Sequence, residues 1–394
     1  MNPTLEESIV AKARELAPLL REHAGPAEQE RRLPKSVVAA LNRAGMTRMF
    51  MPKSLGGLET DPVTFLRVAE EIASADAAAA WFLMVSNSPC WFFARFPDAT
   101  VESLFKDPDD WIVATAFQPP VAAREVEGGY RITGRRPFAS GVNAARSLML
   151  TAIIMDGERP RLVDGRPQIL CAVMPTREVE IIDTWHGMGL RGSDSNDVSV
   201  KDLFIPHSHT CPLVPPFKPG KHYGSPLYRL PAMAAIVLAT LPPIAVALAR
   251  KAVDAVRELS SKRTPMASAV PLRDRGVAQE RLGRAEGMLR SARALMLDTM
   301  QEVWARAKAG EMSTLPQKAD VLLAATHTVQ TCVEVIDAMF LSSGSSAVFV
   351  GHPLEKIFRD SQILRQHGFV CAARYETCSQ VFLGLEPDLP FLHF

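Results

Sequence analysis

The sequence predicts three consecutive units: an N-terminal α-helical domain over residues 1–110, a middle β-barrel or β-sandwich domain over 111–210, and a C-terminal four-helix-bundle domain over 211–394. Three observations carry that order. Apolar residues recur at helical spacing from Thr4 to about Asp110. From about Trp111 to Pro206 the pattern changes to period-2 alternation and short apolar runs broken by glycine turns. From Tyr228 onward helical periodicity returns, in stretches too long for strands.

In the first unit, Leu5, Ile9, Ala13, Leu16 and Leu20 form one helical stripe. Pro34 opens a second helix, where its fixed φ suits the first turn, and Gly45 suits the stop. Asp61 is placed to cap a long helix that begins at Pro62 and runs through the apolar stretch to Met84. In the second unit, Trp111 to Ala116 reads as a strand. The segment Ala123–Gly141 reads as a hairpin with Glu127, Gly128 and Gly129 at its turn. Ala145–Met155 and Pro167–Pro175 read as buried strands. In the third unit, one amphipathic helix runs from Arg275 to a stop at Gly310, a second from Lys318 to Phe340, and a third from Glu355 to Ala372.

Composition excludes several classes. The chain has 394 residues, 44 of them basic and 43 acidic, and this balance gives no field to gather nucleic acid or an anionic membrane. The longest uncharged apolar run, Leu230 to Ala249, contains Pro231, Pro242 and Pro243 and reads as a buried helix instead of a membrane span. Six cysteines without a CxxC pair read as reduced thiols, and the acidic, then amphipathic N-terminus shows no signal-peptide pattern, so a cytoplasmic protein is expected. His207, His209 and Cys211 have metal-binding residue types but no fourth ligand, and no metal is expected there. Gly187, Gly189 and Gly192 fit a dinucleotide-loop spacing, but they precede a strand instead of opening a helix.

The segment Trp185–Pro206 is the most informative. A tryptophan is followed by Gly187-Met-Gly189-Leu-Arg191-Gly192-Ser193 and then by the alternating strand Val198–Pro206. This segment resembles the mid-chain β unit of the acyl-CoA dehydrogenase superfamily. Its Gly-Leu-Arg-Gly-Ser version resembles the two-component, group D flavin-dependent monooxygenase branch, which includes relatives of the oxygenase component of p-hydroxyphenylacetate hydroxylase and of dibenzothiophene monooxygenase. The resemblance extends over nearly the whole chain and implies an acyl-CoA dehydrogenase-like fold. It implies an oxygenase that takes reduced flavin, FADH2 or FMNH2, from a separate NAD(P)H:flavin reductase. With O2 it would form a C4a-hydroperoxyflavin and hydroxylate a phenol- or indole-like substrate. It also implies a homotetramer. Two alternatives stay open: a flavin dehydrogenase or oxidase of the same fold, and a flavin-binding protein without catalysis.

The resemblance names site residues one by one. Ser140, in Phe138-Ala139-Ser140-Gly141, stands where relatives carry a serine near flavin N5; taken alone it is equally a turn serine bonded to its own backbone. His367 stands where the oxygenases carry a histidine that serves the substrate, with a titration expected near the imidazole range and shifted by its pocket. Seven residues from Asp360, it would share a helical face with it. The dehydrogenases' glutamate base is missing: no Asp or Glu occurs between Asp202 and Asp254, and Gln366-His367-Gly368 occupies the other family position. Trp111, Ala116, Phe117, Gln118 and Phe138 are expected beside the flavin ring, with Arg359 helping to position it. Ser343, Gly344 and Arg263 are expected near its phosphate-bearing tail. Asn87, Trp91 and Phe92 read either as helix core or as an aromatic-lined substrate slot.

Overall fold

The computed structural model describes residues 5–107, 112–163, 165–213, 218–265 and 268–393. The first helices are α1 (Leu5–Glu30), α2 (Lys35–Arg43), α3 (Pro62–Ala75), α4 (Ala77–Asn87), α5 (Pro89–Phe93) and α6 (Asp98–Leu104). Asp61 caps α3 by accepting from Val63 N and Thr64 N. The single long helix expected from Pro62 is instead broken. Asp76 takes an extended backbone (φ −149°) and accepts from Ala79 N, so it ends α3 and caps α4. Its burial explains why the break is not visible as a polar gap: Ala75, Asp76 and Ala77 are all buried.

The β unit is built on one mixed sheet, to which Arg159–Pro160 adds a short strand; Leu162–Val163 and Arg166–Pro167 form a separate two-stranded ribbon. The sheet's main strands are β1 (Val113–Val126), β2 (Gly129–Ala139), β3 (Ser147–Asp156), β4 (Ile169–Pro175), β5 (Glu180–Ile182), β6 (Asn196–Pro206) and β7 (Thr210–Pro212). They pair in the order β7-β4-β3-β1-β2-β6-β5. β1 and β3 run parallel, whereas β1–β2 and β2–β6 are antiparallel. Register Val126↔Gly129 leaves Glu127 and Gly128 as the hairpin turn, with Gly128 at φ +78°. Alternation gives the sheet two buried faces. Ala172 and Met174 join Ala114, Val198 and Val200 in a core enclosed by the sheet itself, so it curls. Cys171 and Val173, one residue out of step, pack with Val113 against the helical core.

The bundle comprises α7 (Leu241–Lys262), α8 (Gly276–Ala309), α9 (Leu315–Ser342) and α10 (Pro353–Arg365), packed pairwise, with α11 (Ala373–Phe382) against α9. Gly310 ends α8 in the left-handed region, φ +81°. Met233–Lys262 is long and apolar enough to cross a membrane by composition, but its most apolar stretch lies almost wholly buried, packed against α3, α8 and α9. The third expected helix, Glu355–Ala372, stops early at Arg365, where Gln366 closes the last turn. His367 therefore sits in the loop beyond α10, not on its face.

Candidate functional site

Ser140 is held by backbone of unusual shape. The β2–β6 register shifts between Arg136 and Ala139, and Phe138 and Gly141 on either side of Ser140 have φ of +62° and +69°. The pair Ala139↔Asn196 brings the facing loop, Leu190–Asn196, alongside. That loop is also strained, with Leu190 at φ +46° and Asp194 at +53°. Asp194 compensates through its carboxylate, which accepts from Asn143 N, Asn143 Nδ2 and Asn196 Nδ2. The Ser140 hydroxyl does not bond its own backbone. It accepts from Trp81 Nε1 at 3.0 Å and lies 2.7 Å from Ser195 Oγ, which lies 2.7 Å from Ser193 Oγ. All four side chains are buried.

His367 meets the same tryptophan. The Trp81 and His367 rings lie edge to face, with centroids 5.7 Å apart at 66°. The His367 Nδ1 accepts from Phe369 N at 3.3 Å, which leaves the proton on Nε2. Nε2 makes no hydrogen bond among the described residues. Burial lowers the His367 pKa to about 4, so the imidazole is neutral through the physiological range. The titration expected from the sequence near the imidazole range is displaced downward for this reason. The aromatic series continues from His367 to Phe369 (5.7 Å), Phe391 (5.2 Å) and Phe92 (6.3 Å), and Phe92 packs on Phe117 at 4.6 Å and on Trp91 at 5.2 Å. Trp91 donates Nε1 to Leu230 O, and the Arg95 guanidinium lies 3.7 Å over its ring.

Other expected residues divide. Phe138 presents an aromatic ring that is 64% exposed beside the buried hydroxyl of Ser140, and Trp185 stands edge-on to it at 6.3 Å. Ala116 is buried in β1, the Phe117 carbonyl accepts from Thr151 Oγ1, and Gln118 is exposed at the strand's irregular stretch. Trp111 lies outside the described residues. Asn87 is fully buried; its Oδ1 accepts from Phe50 N and its Nδ2 donates to Met46 O and Leu83 O, so both its donors are committed to bracing α4. Arg359 is committed to Glu28, Glu355 and the Met188 carbonyl. Asp360 does not face a cavity with His367. It accepts from Leu190 N and Lys356 Nζ, each at 2.6 Å, and so ties α10 to the strained loop. Gly189 is required at this seam, since a Cβ there would lie 2.2 Å from the Arg359 carbonyl oxygen.

A second cluster gathers Arg263, Gly344 and Ser346. Arg263 Nη1 donates to Ser346 Oγ at 2.9 Å, and a Cβ at Gly344 would lie 3.1 Å from Nη2. The Ser343 hydroxyl turns back to Met339 O and caps α9. No hydrogen bond among the described residues joins this cluster to Ser140. His207 is exposed and His209 half-buried on a turn, whereas Cys211 is buried opposite Cys171 across the β7–β4 ladder, so the three do not converge.

The arrangement fits a flat, two-faced cofactor ring: an exposed aromatic side chain for its apolar face and a fixed hydroxyl for its polar edge. Sequence reading had not found Trp81, Ser193, Ser195, Phe369 or Phe391.

Residues 6–101 match the N-terminal domain model of acyl-CoA dehydrogenases, and residues 239–371 match the C-terminal one. The chain is 29% identical to indole-3-acetate monooxygenase of Pseudomonas putida, over 93% of this chain and 91% of that protein. It is 29% identical to the flavin-dependent monooxygenase oxygenase subunit HsaA of Rhodococcus jostii, over 89% and 92%. XiaF from a Streptomyces species, solved with FADH2 and glycerol, superposes with a TM-score of 0.89 at 23% identity, covering 98% of this chain and 97% of that one. With both terminal domains matched, the chain belongs to the acyl-CoA dehydrogenase superfamily, in its flavin-dependent monooxygenase branch.

Proposed function

We propose that this chain is the oxygenase component of a two-component flavin monooxygenase that hydroxylates an aromatic or heteroaromatic substrate of the phenol or indole type. One observation carries the reading: a single buried indole, Trp81, touches both the hydroxyl of Ser140 and the neutral imidazole of His367. His367, moreover, takes the place where a dehydrogenase would carry its carboxylate base. Reduced flavin, FADH2 or FMNH2, when bound, supplies the electrons that activate O2. Ser140 would hold the ring's polar edge, and the exposed Phe138 ring would lie against a face of it. The rings of Phe92, Phe117, Phe369 and Phe391 exclude water and receive a flat substrate. His367, neutral and with Nε2 uncommitted, orients the substrate's polar atom or exchanges a proton with it. The Arg263–Gly344 cluster offers a cation and open backbone to a phosphate. A separate NAD(P)H:flavin reductase supplies the electrons.

The test is a single turnover. Protein mixed anaerobically with reduced flavin is exposed to O2 with a panel of phenols and indoles. Hydroxylated product approaching one per flavin supports the reading. Quantitative hydrogen peroxide with every member of the panel, and no product, opposes it.

The assembly we propose is a homotetramer. Leu341, Val348, Phe349 and Val350 form an exposed apolar stretch at the end of α9, with Met312 exposed in the turn between α8 and α9 and Val277 at the start of α8. Light scattering is expected to give four times the chain mass; a stable monomer would defeat the assignment.

A further inference from the structure

We propose that Trp81 is a positioning residue for the oxygenase chemistry, acting through Ser140 by a polarised chain of three serine hydroxyls; this rests on the flavin reading above. An indole N–H only donates. Trp81 Nε1 therefore occupies one acceptor place on the Ser140 oxygen, at 3.0 Å. A hydroxyl has one proton and two acceptor places, so one proton and one acceptor place remain. Ser195, at 2.7 Å, takes one of the two. Whichever is left faces the flavin side. If Ser195 donates to Ser140, the Ser140 O–H points to the ring edge. If Ser140 donates to Ser195, a lone pair points there.

The choice is reversible because Ser195 is itself bonded to Ser193 at 2.7 Å. Turning the O–H bonds along Ser140, Ser195 and Ser193 reverses the polarity. No heavy atom moves and no proton is transferred. The site can thus meet a ring edge that accepts a hydrogen bond, as in oxidised flavin, or one that donates, as in the reduced form. Trp81 makes this a two-way choice by removing the third possibility, a Ser140 oxygen that accepts twice from elsewhere while its proton is lost to a random rotor position. Burial of all four groups means that no water competes for these places.

Trp81 is built for this. Asp76 breaks the helical run and caps α4 at Ala79 N, which sets the rotation of the helix that carries Trp81. The turn Arg191–Ser193 packs on α4, so the serine chain and the indole are fixed to each other by neighbouring backbone. The ring edge on His367 then makes one side chain the spacer between flavin contact and substrate contact.

The experiment is a double-variant cycle on flavin affinity, read by fluorescence titration of the apoprotein with oxidised flavin and, anaerobically, with reduced flavin. Trp81→Phe keeps the ring and deletes the donor. It is expected to weaken both forms about 2- to 10-fold, the range of one neutral hydrogen bond. Trp81→Phe in a Ser140→Ala background is expected to have no further effect, because Trp81 acts through that oxygen. The His367 titration, followed by NMR in the flavin-free protein, is expected to stay near 4 in Trp81→Phe, which retains the ring. It should rise toward the ordinary value in Trp81→Ala, which opens the pocket. Wild-type affinity in Trp81→Phe, or equal losses with and without Ser140, overturns the proposal. A wild-type protein that binds no flavin in either form overturns the underlying flavin reading instead.

Discussion

His367→Ala is expected to lower the hydroxylation rate on the order of 10²–10⁴-fold, the usual contribution of a positioned general acid or base. Flavin affinity should change little, because the flavin contact proposed above is Ser140, on the other edge of Trp81. The pH profile separates this role from simple packing. The folded His367 pKa is depressed to about 4 from an ordinary value near 6.5, and the cause is burial. The neutral, active imidazole is therefore present at all pH values above the folded value and is lost only as pH falls through it. The wild-type rate is expected to be flat across the pH range 5 to 8 and to fall as pH approaches 4. Product formation measured against pH, at saturating reduced flavin, checks both statements. A normal rate in the variant would reduce His367 to a packed loop residue.

Asp360→Ala is expected to destabilise the protein by about 3–5 kcal/mol, the cost of stripping one partner from a buried ion pair. Asp360 is 2% exposed and carries two bonds at once, from Lys356 Nζ and from Leu190 N. Burial draws the Lys356 ammonium down, but Asp360 and Asp76 more than offset it and hold its pKa above the ordinary value. Without Asp360, the remaining carboxylates, Asp76 and Glu28, stand 3.9 Å from Nζ. The Leu190 amide would also lose its acceptor, in a loop that already holds Leu190 at φ +46°. Denaturant unfolding should show the loss in the first transition. Because that loop carries Ser193 and Ser195, the variant is also expected to release more hydrogen peroxide per product. Unfolding unchanged within 1 kcal/mol would show that Lys356 finds solvent, and that the seam between α10 and the β unit is not held by this pair.

The sequence carries the local devices well and the long-range ones poorly. Gly310 marks the end of α8 because a left-handed C-terminal residue is a local demand that glycine meets. The hairpin at Glu127–Gly128 is legible for the same reason. Asp76 is missed because alanines continue on both sides of it, and helix propensity does not register one aspartate that folds back to cap the next turn. Placing His367 on α10 reads past Gly368, a stop signal of the kind that Gly310 gives α8, and the boundary at Arg365 shifts the residue from helix face to loop. Trp81 is hidden by its setting. In the run Ala77–Met84 an indole looks like any core side chain, and its partner Ser140 is 59 residues away. Ser193 and Ser195 lie within the motif that carries the family resemblance, yet their contact with Ser140 depends on the β2–β6 register, which no local pattern encodes. Asn87 and Arg359 show the converse. Both residue types suit a binding site, and both make several hydrogen bonds that brace the structure.

The proposed reaction transfers one atom of O2 to an aromatic ring with reduced flavin supplied from outside the chain. Isotope incorporation tests it most directly. The protein, a separate flavin reductase, NADH and a panel of phenols and indoles are incubated under ¹⁸O2, and products are analysed by mass spectrometry. A hydroxylated product that carries one ¹⁸O atom is expected, in a yield that falls in His367→Ala. Product oxygen derived from water, or NADH consumed entirely to labelled hydrogen peroxide with every substrate in the panel, would contradict it.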